Sequence, residues 1–280
     1  MPGVRIVTDS SCDLTQAEAE EIGVEIVPLS IRFGSEEYTD RRDLAVEDFY
    51  KKMAANDALP ETAAPSPGAF EQAFRNAADA GADAIICLTL SSELSATMQS
   101  AQNAARAFVG PPVHVIDSRS ITTGLGTLVI EAGKAARQGA DLDTLRALIE
   151  DLTSRQRIVA ALNTLDNLKK GGRIGGAQAM VGSMLSIKPL IDLTTGKVEK
   201  AGQARTRKKA MQALYERIRA GGPVEHLAIA HSEAPDIQEF LDLIASDFPP
   251  GSYRLGKIGA VIGTHGGPEI IGATWITGVS

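Results

Sequence analysis

Asp83-Ala84-Ile85-Ile86-Cys87-Leu88-Thr89-Leu90 runs directly into Ser91-Ser92-Glu93-Leu94-Ser95. An eight-residue run that is almost wholly apolar, with no alternation, describes a strand buried on both faces, the condition of a parallel sheet covered by helices. The polar turn that follows opens a helix expected from about Ser95 to Phe108. The same unit recurs on either side. Val4 to Thr8 is a short β-branched run ending in Asp9-Ser10-Ser11, and Gln16 to Ile22 reads as helix. Val24 to Ile31 is a second strand, Val46 to Ala55 has helical spacing, and a loop from Asn56 to Pro65 leads to Ser66-Pro67. Ser66 can cap free N–H groups and Pro67 fits the first helical position, so a helix is expected from there to about Ala80. A strand at Val113 to Ile116 and a helix from Ile121 to Gln138 follow. The next segment places Leu142, Leu145, Leu148, Ile149 and Leu152 on one helical face.

The character changes near Arg155. Short strands at Ile158 to Leu162, Ile187 to Asp192 and Lys197 to Gly202 surround the Gly-rich stretch Gly171-Gly172-Arg173-Ile174-Gly175-Gly176. A helix (Thr206 to Ala220), a strand (His226 to Ala230), a helix (Asp236 to Ser246) and closing strands after Tyr253 complete the chain. Hairpin-like pieces outnumber crossover units here, which predicts a mixed sheet backed by helices. The expectation is an α/β protein of two domains: residues 1–155 with a parallel sheet in an α/β/α arrangement, and residues 156–280 with a mixed sheet.

The 280 residues are 44% hydrophobic, 22% charged and only 4% aromatic, so the core must be aliphatic. No window approaches a membrane span and the N-terminus does not read as a signal peptide, which points to a cytoplasmic protein with at most transient membrane contact. Cys12 and Cys87 lack a CxxC spacing and read as reduced thiols. A net charge of −7 argues against nucleic-acid binding, yet residues 161–220 hold 12 Lys or Arg and 4 Asp or Glu. That local excess of positive charge suits either an anionic ligand or acidic partner, or a solvated basic helix.

Four polar turns stand at the ends of apolar runs: Thr8 to Ser11, Leu90 to Ser95, Asp117-Ser118, and Thr264-His265-Gly266-Gly267-Pro268. In an open parallel sheet, ligands bind where such loops converge at the carboxyl ends of strands. With a helix starting at Ser95, the N–H groups of Ala96 and Thr97 and the Ser95 hydroxyl would face an anion, carboxylate or phosphate alike. Ser95, His265 and Asp9 or Asp117 are conceivable as a hydrolytic triad, although no GxSxG elbow surrounds any serine. No P-loop, HExxH or Cys/His cluster is present, so no metal or nucleotide cofactor is expected.

Taken together, VTDSSCDLT (Val7 to Thr15), YTDRRDL (Tyr38 to Leu44), TAAPSPGAF (Thr62 to Phe70), LSSELSATMQSA (Leu90 to Ala101), VIDSRSITTGLG (Val115 to Gly126), LKKGGRIGGAQAMVGSMLSIKPLI (Leu168 to Ile191) and IGTHGGPEIIG (Ile262 to Gly272) resemble the DegV family along essentially the whole chain. The resemblance implies a non-catalytic protein that holds a long-chain fatty acid in a tunnel between the two domains. It would present the acyl carboxylate to a separate dihydroxyacetone-kinase-like fatty acid kinase, which forms acyl phosphate for phospholipid metabolism. On the same ground, Thr62 and Ser95 correspond to the hydroxyls that hold the carboxylate, with Ala96, Thr97 and Gly266 beside them. His265 corresponds to the family histidine at the headgroup and Arg173 to the arginine placed by the headgroup and the kinase-facing surface. The runner-up is an acyl ester or acyl phosphate hydrolase using Ser95 and His265. Three positions depart from the family pattern: Ala63-Ala64 in place of Ser-Gln, Ala96 in place of Gly, and Glu269 where Gly is common. At ~0.8 kcal/mol per methylene, a chain of about 16 carbons would gain roughly 12 kcal/mol of gross transfer free energy, less the costs of association. Met53, Met98, Met180, Met184 and Met211 are candidates for an adaptable lining, although most of them are expected to be ordinary core.

Overall fold

The computed structural model describes residues 3–181 and 187–278. The first half runs β1 (Gly3–Asp9), α1 (Gln16–Ile22), β2 (Val24–Val27), β3 (Ser30–Phe33), β4 (Glu36–Thr39), α2 (Val46–Ala54), β5 (Glu61–Ala63), α3 (Pro67–Asp79), β6 (Ala82–Thr89), α4 (Thr97–Ala107), β7 (Val113–Asp117), α5 (Thr122–Arg137) and α6 (Leu142–Arg155). The second runs β8 (Gln156–Ala161), α7 (Asp166–Lys170), β9 (Lys188–Asp192), β10 (Glu199–Ala204), α8 (Arg207–Ala220), β11 (Val224–His231), α9 (Ile237–Ile244), β12 (Arg254–Lys257), α10 (Ala260–Gly266) and β13 (Ile271–Thr277).

The parallel sheet has the order β2-β1-β6-β7. Strand β6 is continuous in apolar residues because each face meets a different core. Ile86 and Leu88 join the cluster that contains Leu125 and Val129 of α5. Ile85 and Cys87 pack with Phe70 and Phe74 of α3 and Ala101 and Ala104 of α4. The second sheet has the order β10-β9-β8-β13-β11-β12 and is mixed, as expected: β11 and β12 are parallel and the other pairs antiparallel. Its residues alternate between two environments. Val159, Ala161, Leu190, Ile229, Ala273 and Trp275 pack with Leu214 of α8 and Phe240 of α9. Ile158, Ala160, Ile191 and Ala230 face the cluster shared with α5 and β6. Helix α5 therefore lies between the two sheets, with Gln156 Nε2 donating to Gly124 O at 2.9 Å.

Three local expectations are corrected. The strand expected over Val24 to Ile31 is two strands in different sheets. Pro28 has no N–H for a ladder, and Leu29 N–H turns instead to Ser10 Oγ at 3.1 Å. Strand β3 then pairs antiparallel with β4 and β5, so the expected loop from Asn56 to Pro65 contains a strand that carries Thr62 opposite Ile31. The apolar run from Ile258 is not a strand before a turn: Ala260–Gly266 is helix α10. A seven-residue segment with two glycines carries little periodicity, and the glycines serve packing. A Cβ at Gly263 would collide with the Tyr50 hydroxyl, and one at Gly266 with Ile270 Cδ1.

Candidate functional site

A cavity of about 260 Å3 lies between the cavity-facing side of the mixed sheet and the loops that follow β6 and β7. A single water occupies roughly 10–15 Å3 on the same scale, so this space suits a ligand of many atoms. Its origin is a row of small side chains. Ala160, Gly272 and Ala230 are direct cross-strand partners on β8, β13 and β11, where Leu or Val would ordinarily fill the sheet face. A Cβ at Gly272 would find only ordinary contacts, Ala160 Cβ at 3.6 Å being nearest. Backbone geometry therefore does not require glycine there, and its smallness leaves a trough. Ile158, Ile191, Leu193, Leu90, Leu94 and Ile121 complete an aliphatic wall.

One cluster of polar groups stands at the mouth. Thr62, Ser95, Ala96, Arg173, His265 and Gly266 all line the cavity, drawn from β5, the turn before α4, the turn after α7, and α10. Thr62 Oγ1 and His265 Nε2 are 2.9 Å apart. With the proton on Nε2, the imidazole donates to Thr62 and leaves the hydroxyl hydrogen for a ligand acceptor. Among the described residues His265 Nδ1 has no partner, and a Cβ on Gly171 would run into it. This explains one glycine of the Gly-rich stretch. Another, Gly175 at φ +49, sits where a Cβ would strike Val198 O. Exposed Arg173 reaches across the mouth, Nε donating to Leu94 O at 3.2 Å and Nη1 to Gly171 O at 2.7 Å.

Burial, with the positive charge of Arg173 behind it, pushes the His265 imidazole down from 6.5 to about 4. It is neutral at pH 7, a hydrogen-bonding group rather than a countercharge. Lys169 and Lys170, both exposed, stand on α7 beside the Gly-rich turn. Other basic residues of the segment are engaged elsewhere: Lys197 pairs with Glu93 after β6, and on α8, on the opposite face of the mixed sheet, Arg207 pairs with Asp236 and Arg219 with Asp247. The positive excess is thus spread along the segment, with Lys169, Lys170 and Arg173 forming a small cluster at the mouth.

Helix α4 starts at Thr97 with Ala96 as its cap, later than expected. Leu94 and Ser95 N–H donate to Ser91 O, forming a turn that precedes the helix. The Ser95 hydroxyl lies 2.9 Å from Thr97 Oγ1 and accepts from Thr97 N–H at 3.3 Å. Thr97 is wholly buried behind Ser95 and does not line the cavity. Asp9 and Asp117 lie outside the cavity and bind the loops around it. Asp9 accepts from Leu90 N–H at 2.8 Å and Ser11 Oγ at 2.6 Å, and burial raises its carboxyl to about 6. Asp117 accepts from Ser92 N–H at 3.2 Å and Arg119 N–H at 2.9 Å. Neither carboxylate reaches His265, so the residues imagined as a triad are not assembled as one.

None of the methionines among the described residues lines the cavity. Met180 and Met211 are core, Met53 packs near Phe49, and Met184 lies outside the described residues. The lining is branched aliphatic instead. Glu269 adds no carboxylate to the site either: it adopts φ +62 and accepts from Asn163 Nδ2 at 2.7 Å. Two features escaped the sequence reading: the Ala160–Gly272–Ala230 row, which exists only once three distant strands are paired, and a group of cavity threonines, Thr122, Thr123 and Thr274. Among the described residues no helix is long and apolar enough to cross a membrane.

Comparison with known proteins agrees over nearly the whole length. A family model described as "Uncharacterised protein, DegV family" matches residues 3–278. A DegV domain-containing protein of Halalkalibacterium halodurans is 33% identical, over 98% of this chain and 99% of its own. One from Streptomyces coelicolor is 35% identical over 96% of both chains. A fatty-acid-binding DegV family protein from Thermus thermophilus superposes with a TM-score of 0.90 at 32% identity, covering 98% of this chain and 99% of that one. A stearic-acid-binding protein from Eubacterium ventriosum superposes with a TM-score of 0.86 at 26% identity, covering 98% of both.

Proposed function

The chain is a member of the DegV family, and on that premise we propose that it is a cytoplasmic carrier that binds a long-chain fatty acid without catalysis of its own. The observation that carries this reading is a branched-aliphatic cavity with a cluster of anion-compatible polar residues, Thr62, Ser95, Arg173 and His265, at its mouth. The hydrocarbon tail would lie along the Ala160–Gly272–Ala230 trough. Its carboxylate would meet the hydroxyls of Thr62 and Ser95, the backbone at Ala96 and Gly266, and the neutral imidazole of His265, with Thr97 holding Ser95 from behind. An ionised carboxylate withdrawn from water requires several such donors. Solved relatives that bind fatty acids support the ligand class. The mouth falls between segments 1–155 and 156–280, which we take as two domains with the lipid between them.

Arg173, Lys169 and Lys170 leave the carboxylate end flanked by positive charge on an accessible surface. That suits presentation of the carboxylate to a dihydroxyacetone-kinase-like fatty acid kinase for acyl-phosphate formation. It also suits brief contact with an anionic membrane while cargo is exchanged.

Mass spectrometry of an organic extract of the purified protein should return a long-chain fatty acid. An extract free of lipid, from protein that also fails to bind added fatty acid, would end the proposal. Thr62→Ala and Ser95→Ala should each weaken retention about tenfold to a hundredfold, the effect of a net hydrogen bond to a charged group. Arg173→Ala should retain lipid but slow acyl-phosphate formation by the kinase; equal turnover would remove Arg173 from that role. Incubation with activated esters and no kinase should give no turnover, since no carboxylate among the described residues stands beside His265.

A further inference from the structure

The inner end of the same cavity is not apolar. Thr122 and Thr123 at the start of α5 and Thr274 on β13 line it, with 6%, 0% and 4% of their surface exposed. Ile270 packs at Gly266 next to His265, and Thr274 stands four residues further along the extended chain. At ~3.3 Å per residue the threonines are therefore on the order of 13 Å from the mouth.

Hydroxyl hydrogens are in surplus at this end. Thr123 Oγ1 and Thr274 Oγ1 are 3.3 Å apart. One hydroxyl donates to the other, and the second hydrogen has no acceptor among the described residues. Thr122 Oγ1 accepts from Thr123 N–H, and its own hydrogen has no acceptor either. Thr122 is also held at φ +44, a backbone region that β-branched residues rarely adopt. Buried donors without acceptors are destabilising in a dry aliphatic cavity, and a plain methylene chain cannot satisfy them. Arg173 and His265, the basic groups of the lining, belong to the mouth. Among the described residues of the lining no cation stands beside the threonines, and the nearby Arg254 is already paired with Glu18, so the missing acceptor is best supplied by a neutral oxygen.

We infer that Thr122, Thr123 and Thr274 form a second, interior polar subsite that receives an oxygen borne on the acyl chain, so that the cavity favours oxygenated fatty acids such as hydroxy acids. This rests on the fatty-acid reading of the cavity and specifies its substrate class. The test is a set of affinities for stearate and for hydroxystearates with the hydroxyl moved stepwise along the chain. In the wild type, at least one mid-chain or distal hydroxystearate should bind about fivefold tighter than stearate, the size of one net hydrogen bond. The double variant Thr123→Val/Thr274→Val should reverse that order, tightening stearate and weakening the hydroxy acid. Thr274→Ser, which keeps the hydroxyl, should preserve the wild-type order and shows that any reversal does not come from misfolding. A wild type that binds every hydroxystearate more weakly than stearate, or a preference that survives the valine variant, would overturn the subsite. A wild type that binds neither stearate nor any hydroxystearate would instead refute the fatty-acid reading.

Discussion

The two faces of the mixed sheet are made by the same strands and do opposite things. Toward α8 and α9, Val159, Leu190, Ile229 and Trp275 interlock with Leu214, Ile218 and Phe240, a packed core in which large residues meet large residues. Toward α5, Ala160, Ala230 and Gly272 lie side by side, and the space they leave is not taken up by their neighbours. Hydrophobicity hardly differs between the faces; volume does. A sheet thus contributes stability through one surface and a binding site through the other, with the alternation of side chains keeping the two roles separate.

The largest effect should come from erasing that difference. Gly272→Leu puts a side chain into the trough, where there is room for it. Bound fatty acid in an organic extract should fall to background, with the lipid-free protein remaining within about 1 kcal/mol of wild type. Undiminished lipid in this variant would mean that the cavity is not the lipid site. Phe240→Ala on the packed face should cost about 3–5 kcal/mol in urea unfolding. A loss comparable to that of a surface substitution would show that this face is not the packed one.

The dry mouth predicts a pH response. The His265 imidazole titrates at about 4 in the folded chain against 6.5 when free, so below pH 6.5 the unfolded state takes up the proton first. Relative to His265→Asn, the lipid-free wild type should lose about 2–3 kcal/mol as pH falls from 6.5 to 4. Parallel pH profiles for the two proteins would show that the imidazole is hydrated. The smallest effect belongs just before β13. Glu269→Gly relieves a positive φ but gives up the Asn163 bond. Thermal unfolding should therefore shift by no more than about 1 kcal/mol, and lipid content should not change. A drop in lipid content would place the Glu269 carboxylate in the site after all.

Much of the fold was legible in residue patterns. The unalternating Ile85 to Leu88 run implies burial on both faces wherever it occurs, and Ser66-Pro67 marks a helix start through local chemistry alone. The errors arose where long-range contacts override weak local signals. Pro28 splits one apolar run between two sheets, and the Gly-containing segment 260–266 is helical because it must pack against Tyr50 and Ile270. The mouth was legible in part: Thr62, Ser95, Ala96, Arg173, His265 and Gly266 were singled out from the sequence and share one cavity. Thr97 lies behind it, and none of the methionines among the described residues lines it.

From the chain's linear order one can read the class of fold, the aliphatic core and the polar turns, because strand periodicity, capping and turn chemistry act over a few residues. The cavity is a different kind of property. It exists because Ala160, Ala230 and Gly272, separated by up to 112 positions, become neighbours through strand pairing, and because α5 stands off rather than filling the gap. Register and interlayer distance are properties of the assembled sheets, and no local pattern of residues encodes the volume left between them.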